Sequence, residues 1–323
     1  MNKVTVSTPG KLMLFGEHAV VYGHPCIVTA VDQRIRLAAE VLDSPDFILE
    51  AGDVEVTNYT KQISELGQGD VPKGAQFVEI ALKNIYEKFD LGEGLRITTA
   101  SEFSSKFGFG SSSAITVCVV KALSELFDLK LDNKEIFDSA YKTVLDIQGK
   151  GSGFDVAAGI YGGCLYFVTG GKVIEPLIIK ELPLIVGYSG VKADTVTLMN
   201  QVKAKASKYP EFIDVLYTEV SKLVEKAKSA LLVNDLISFG ELMNFNQGLL
   251  ESMGVSIAKL SAMIYGARDE GAYGAKLSGA GGGDCMIAIA PKDKIAAVQQ
   301  GITRSGGQVI EVQTNVEGVR IEK

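Results

Sequence analysis

The sequence predicts an α+β protein of two domains, and three observations lead there. The chain has 323 residues, more than the roughly 100–200 of an ordinary domain and enough to bury a sizeable core. Short β-branched strands mix with amphipathic helices in the first half, whereas long helices dominate after about residue 180 and the chain finishes on strands. Glycine is over-used, with 35 residues against the roughly 23 of average composition, and it gathers in clusters beside apolar runs rather than in a linker. The change of pattern near 170–183 divides the chain into 1–180 and 181–323.

Along the chain, residues 4–6, 12–15, 26–31 and 35–41 read as strands from their β-branched content, and 47–57 as a hairpin. Residues 75–89 place Phe77, Ile80, Ala81, Ile85 and Phe89 near one helical face. A strand at 95–100 follows, then a helix at 114–127 that is apolar almost all round and therefore buried, and another helix at 134–147. Beyond an apolar strand at 182–188 come helices at 195–205, 211–232, 237–253 and 257–270. A strand at 285–290, a helix at 294–302 and a closing strand pair, 309–312 with 318–321, complete the chain.

Composition excludes several classes of function. A net charge of −7 argues against broad binding to nucleic-acid backbones, while leaving room for a local basic pocket. No run of 18 apolar residues suggests a membrane span, and no signal peptide is legible, so the cytoplasm is the expected location. Cys26, Cys118, Cys164 and Cys285 are scattered among apolar runs and read as buried free thiols. With two histidines, His18 and His24, and no His/Cys cluster, any metal must be a hard one held by oxygen. Oligomeric state stays open, with a homodimer among the states allowed.

Chemistry concentrates in the glycine clusters. Lys106-Phe107-Gly108-Phe109-Gly110-Ser111-Ser112-Ser113 lies between a strand and the buried helix. Unpaired amides and the helix dipole attract phosphate there, and a serine hydroxyl can reach a magnesium ion bridging phosphates. An ordinary N-cap needs only one serine; three behind two glycines favour phosphate. Neither this loop nor Ser278-Gly279-Ala280-Gly281-Gly282-Gly283-Asp284 satisfies the P-loop or dinucleotide patterns. The latter on its own reads equally as a tight turn. Gly149-Lys150-Gly151-Ser152-Gly153-Phe154-Asp155 ends in an acid that is either a general base or a structural cap for 156–160. Finally, Lys11 stands at one end of an apolar strand and Glu17 and His18 at the other, as functional groups or as a solvated strand end.

Taken together and in this order, these four segments resemble the motifs of the GHMP kinase family, whose members include galactokinase, homoserine kinase, mevalonate kinase and phosphomevalonate kinase. The likeness covers nearly the whole chain. Gly16-Glu17-His18-Ala19-Val20-Val21-Tyr22-Gly23 is most similar to the mevalonate kinase branch. The resemblance implies an N-terminal α/β domain with a left-handed βαβ crossover, a C-terminal ferredoxin-like domain, and phosphoryl transfer from ATP with Mg²⁺ to a small-molecule alcohol, mevalonate. By the same resemblance, Lys106, Gly108, Phe109, Gly110, Ser111, Ser112 and Ser113 hold the ATP phosphates, and Ser112 or its neighbour Ser111 ligates magnesium. Gly279, Gly281 and Gly282 close over the phosphates. Asp155 is the catalytic base and Lys11 its partner, while Glu17, His18 and Thr195 line the acceptor site.

Two departures qualify the likeness. The glutamate that mevalonate kinases place about eleven residues before the catalytic aspartate is Val144 here, with Asp146 nearby as a substitute. The 148–157 loop is closer to the phosphomevalonate kinase form, in which Lys150 would bind a phosphate already on the acceptor. A non-catalytic sensor of the same fold would lack Lys11 or Asp155, and both are present.

Overall fold

The computed structural model describes residues 2–180 and 182–322; Glu181, at the expected boundary, lies outside them. The chain opens with β1 (Lys3–Phe15) and β2 (Pro25–Leu42), antiparallel partners over most of their length. The sequence pattern splits each strand in two, because Ser7, Thr8 and Lys11 interrupt β1 and Arg34 interrupts β2. All four are in fact buried, and the ladder continues through a register shift between Pro9 and Gly10, a bulge that bends the strand. So extended, β2 serves two neighbours: its first half pairs with β6 (Cys164–Val168) and its second half with β5 (Gly94–Ser101).

The expected hairpin is β3 (Asp46–Ala51) with β4 (Val56–Gln62), and β3 runs parallel to β5. A further strand, β7 (Val173–Leu177), pairs with β6. Helices α1 (Gln76–Phe89), α2 (Ser111–Leu126), α3 (Asn133–Gln148) and α4 (Phe154–Tyr161) close over one face of this sheet around a core that includes Leu37, Val117, Phe137 and Phe167.

The rest of the chain builds a second, four-stranded antiparallel sheet from β8 (Leu184–Tyr188), β9 (Gly274–Ser278), β10 (Cys285–Ile289) and β11 (Gln308–Ile310), in the order β11-β8-β10-β9. Between β8 and β9 come α5 (Thr195–Lys208), α6 (Pro210–Leu232), α7 (Leu236–Met253) and α8 (Ala258–Asp269); α9 (Ile295–Arg304) precedes β11. The fourth strand beside the first, and the third beside the second, is the ferredoxin-like arrangement. The expected closing strand pair does not form. While β11 joins β8, the final strand β12 (Arg320–Ile321) crosses to Val6 and Ser7 of β1. Buried Arg34 directs this crossing, donating to the carbonyls of Glu317 and Gly318 at 3.0 and 2.7 Å.

Strand β1 serves both halves because successive side chains face opposite ways. Leu12 and Leu14 pack into a core shared with the second sheet, and Met13 into the core beneath the first four helices. Phe15 meets Phe239 of α7 edge-on, 5.2 Å between ring centroids. A continuous apolar contact of this kind holds the two halves in one arrangement. All four cysteines are free and buried. No helix among the described residues is long and apolar enough to cross a membrane.

Helix α7 lies so close to the start of β9 that a Cβ on Gly240 would sit 2.5 Å from the Tyr273 Cβ. Gly240→Ala is therefore expected to cost about 1–3 kcal/mol through overpacking, read as a lower midpoint in urea denaturation with an unchanged slope.

Candidate functional site

Strand β12 covers Val6 and Ser7 on the outer edge of β1. Further along, that edge is taken by loops. The Lys11 amide donates to the Phe109 carbonyl at 3.0 Å, and the Lys11 ammonium to the Gly108 carbonyl at 2.7 Å. Lys11 shares the parity of Met13, so it faces the helix side of the sheet, where it lies over the Phe154 ring. Burial pulls its pKa below the usual lysine value; Asp155 and Asp284 attract it upward, and Lys192 adds to the lowering.

The loop before α2 needs its glycines. Gly108 and Gly110 both have positive φ, 75° and 78°, and a Cβ on Gly110 would lie 2.9 Å from the Lys11 Cε and 3.6 Å from the Asp155 Cβ. As the N-cap of α2, Gly110 has no side chain to offer. Ala114 is the first residue whose amide enters the helical ladder, donating to Gly110 at 3.0 Å. The amides of Ser111, Ser112 and Ser113 find no acceptor among the described residues, leaving three donors at the positive end of a helix. Ser111 and Ser112 are half-buried and Ser113 buried. Phe109 turns its ring inward against Phe103 and Phe107, so it offers the loop only its backbone. Lys106 is exposed, its amide held by the Ser104 hydroxyl.

Asp155 stands in the first turn of α4, where its Oδ1 accepts from the Val156 amide at 3.1 Å. The cap is not Asp155 but Gly153, with φ 90°. Two glycine-capped helix N-termini, those of α2 and α4, thus converge with Lys11 between them. Val144 is buried, and Asp146, which was to replace the missing glutamate, is occupied elsewhere, by Lys142 at 2.6 Å and Asn84 at 2.9 Å. Lys150 donates to Asn200 of α5 at 2.9 Å. Thr195 is exposed in the first turn of α5, which Asp194 caps through the Thr197 amide.

The third glycine cluster is the turn between β9 and β10, and its flank binds the first motif directly. Ser278 bridges β1, its hydroxyl donating to the Met13 carbonyl at 2.9 Å and accepting from the Met13 amide at 3.0 Å. Lys276 and Glu17, both side chains wholly shut off from water, form an ion pair, and the second carboxylate oxygen of Glu17 has no partner. His18, a non-glycine residue with φ 59°, has its Nε2 2.9 Å from the Ala280 carbonyl. Burial lowers its pKa, opposed by that carbonyl. Gly282 donates to Val255 at 2.7 Å, and Gly281 packs on the same residue, while beside Gly279 there is open space.

Sequence reasoning passed over two residues here. Asp284 ends a glycine cluster that fits no nucleotide-binding pattern, yet a Cβ on Gly108 would lie 2.5 Å from its Oδ2. A charge inside a glycine turn was the available signal. Lys276 gave less, a lone cation in an apolar strand. Among the described residues no three His, Cys, Asp or Glu side chains group as a metal cage.

A family model described as GHMP kinases N terminal domain matches residues 76–163, and one described as GHMP kinases C terminal matches 227–308. A mevalonate kinase of Pyrococcus abyssi is 38% identical, over 99% of this chain and 98% of its own length. Among solved structures, the Methanococcus jannaschii mevalonate kinase superposes with a TM-score of 0.81 at 27% identity, covering 96% of this chain and 97% of that one. The L. major mevalonate kinase in complex with R-mevalonate superposes with a TM-score of 0.78 at 26% identity, covering 96% and 95%.

Removing one member of the buried pair strands the other. Lys276→Met is expected to cost about 3–5 kcal/mol in urea denaturation, much of it recovered in the double variant with Glu17→Gln. His18 adds a pH dependence. Below its ordinary value of 6.5 the unfolded chain takes up a proton that the folded chain refuses, so stability falls with pH between 6.5 and the lower folded value. Melting temperatures recorded from pH 7.5 to 5 should show a shallower decline for His18→Asn, a residue that tolerates positive φ.

Proposed function

Because the chain belongs to the GHMP kinase family, we propose that it transfers the γ-phosphoryl group of ATP to the primary hydroxyl of mevalonate, giving 5-phosphomevalonate and ADP for isoprenoid precursor synthesis. The observation that carries this reading is the convergence of two helix N-termini on Lys11, one with three free amides and the other bearing Asp155. Relatives that align along nearly the whole chain supply the choice of acceptor.

Phosphoryl transfer asks for positioning and charge neutralisation more than covalent help. The amides of Ser111, Ser112 and Ser113 and the dipole of α2 take the polyphosphate. Asp155, beside Gly110, accepts the proton of the acceptor hydroxyl as its oxygen attacks phosphorus. Lys11, already desolvated, offsets the charge that gathers on the transferred group without first shedding water. Glu17, His18 and Thr195 frame the acceptor side in this reading, and Gly279, Gly281 and Gly282 close the phosphate side.

A magnesium ion fits these residues. The Ser112 hydroxyl is a hard oxygen in the first turn of α2 that makes no hydrogen bond among the described residues, the kind of ligand a magnesium ion takes beside phosphate. Ser112, with Ser111 as its neighbour, would hold it; when bound, it neutralises phosphate charge. In this reading the 1–180 part carries the nucleotide and the 181–323 part closes over it, and the protein works in the cytoplasm.

Asp155→Asn should fold and bind ATP but lose at least about 10²-fold in kcat, followed by ADP release; turnover near that of the unaltered protein would overturn the assignment. With ATP and Mg²⁺ supplied, mevalonate should be turned over faster than 5-phosphomevalonate. The reverse order would make the chain a kinase of the phosphorylated acceptor.

A further inference from the structure

A second cation reaches the mouth of the phosphate loop from the other sheet. Lys192 lies in the connection between β8 and α5, and its ammonium is 3.6 Å from Asp284 Oδ1. The other oxygen of that carboxylate presses on Gly108, where a Cβ would lie 2.5 Å from Oδ2, and the Gly108 carbonyl receives the Lys11 ammonium at 2.7 Å. Lys192, Asp284, Gly108 and Lys11 therefore form one continuous chain of contacts across the cleft.

Asp284 is held firmly. Its amide donates to Val191 at 2.8 Å, its carbonyl accepts from Ser189 at 2.9 Å, and its Oδ1 accepts from the Ala193 amide at 2.9 Å. With φ at 53° it occupies a conformation that aspartate tolerates better than most residues. The two side chains differ in freedom: that of Asp284 is 13% exposed and that of Lys192 50%. A fixed carboxylate beside a phosphate loop repels the polyanion the loop is built for, unless a cation stays with it. Lys192 is that cation, and its long stem is free to swing from the carboxylate to an arriving phosphate.

We propose that Lys192 is a second phosphate-binding cation, delivered from the second sheet and parked by Asp284, that takes the γ-phosphate of ATP. The amides of α2 receive the polyphosphate, Lys11 and Asp155 mark where the transferred group sits, and Lys192 approaches from Asp284. Asp284 acts as a positioning residue, through Lys192. The proposal rests on reading residues 108–113 as the phosphate loop and is independent of the acceptor.

The test is equilibrium binding of ADP and of a non-hydrolysable ATP analogue, with Mg²⁺ and without acceptor, by titration calorimetry. Lys192→Ala should weaken the analogue about tenfold, the scale of one charge-assisted hydrogen bond, and ADP by less than about twofold, while Lys192→Arg keeps both. Equal losses for the two nucleotides, or none, would overturn the proposal. In a double-mutant cycle the effect of Asp284→Asn on analogue affinity should change once Lys192 is alanine; strict additivity would remove the parking role. Since no acceptor is present, failure here leaves the mevalonate reading standing, and failure to phosphorylate mevalonate leaves this result untouched.

Discussion

Glu17 and Lys276 face each other with no water around either side chain, and the placement of the site depends on that pair. Two charges leave water only at a large desolvation cost, which a close partner offsets but seldom exceeds. What the pair supplies is position. Glu17 closes the first motif and Lys276 lies two residues before Ser278, whose hydroxyl grips the backbone of Met13. One contact is ionic and insists on a partner, and the other is directional and insists on a register. Between them they set the β9–β10 turn against the open edge of β1, and so set Asp284 against Gly108.

With that junction in place, the charges of the site fall into balance. Lys11 and Lys192 stand among Asp155 and Asp284, drawn from four separate segments of the chain. The dominant influence on Lys11 is burial, which favours its neutral form, and the two carboxylates work against it. The same low-dielectric surroundings that make an unpaired charge costly make a well-placed one effective on a phosphoryl group. The uncapped amides of α2 follow the same logic. A side-chain cap would satisfy them within the protein, and Gly110 provides none.

Much of this was legible in the chain. Helices with a clear apolar period lie where the period places them, and the glycine clusters mark the loops that meet. The failures share a cause. Ser7, Thr8 and Lys11 look like a break in a strand because buried polar residues are uncommon, yet each has a partner that only the folded molecule supplies. Residues 309–312 and 318–321 look like partners because they are neighbours in sequence, but a short strand pairs with whichever edge is free. Arg34, nearly three hundred positions upstream, decides which edge that is. Asp146 is an acid at a plausible spacing, and Lys142 and Asn84 claim it first.

By itself the sequence determined the family, the two-part α+β plan and the glycine-rich loops that meet beside β1, because glycine spacing, helical period and short motifs are local properties that one stretch of chain can display. Which groups are neutralised, which helix N-termini stay open and which cations share a carboxylate were decided only in the tertiary structure. Burial and Coulomb interaction depend on distance in space, and residues 11, 108, 155, 192 and 284 are not near one another until the two sheets meet across β1.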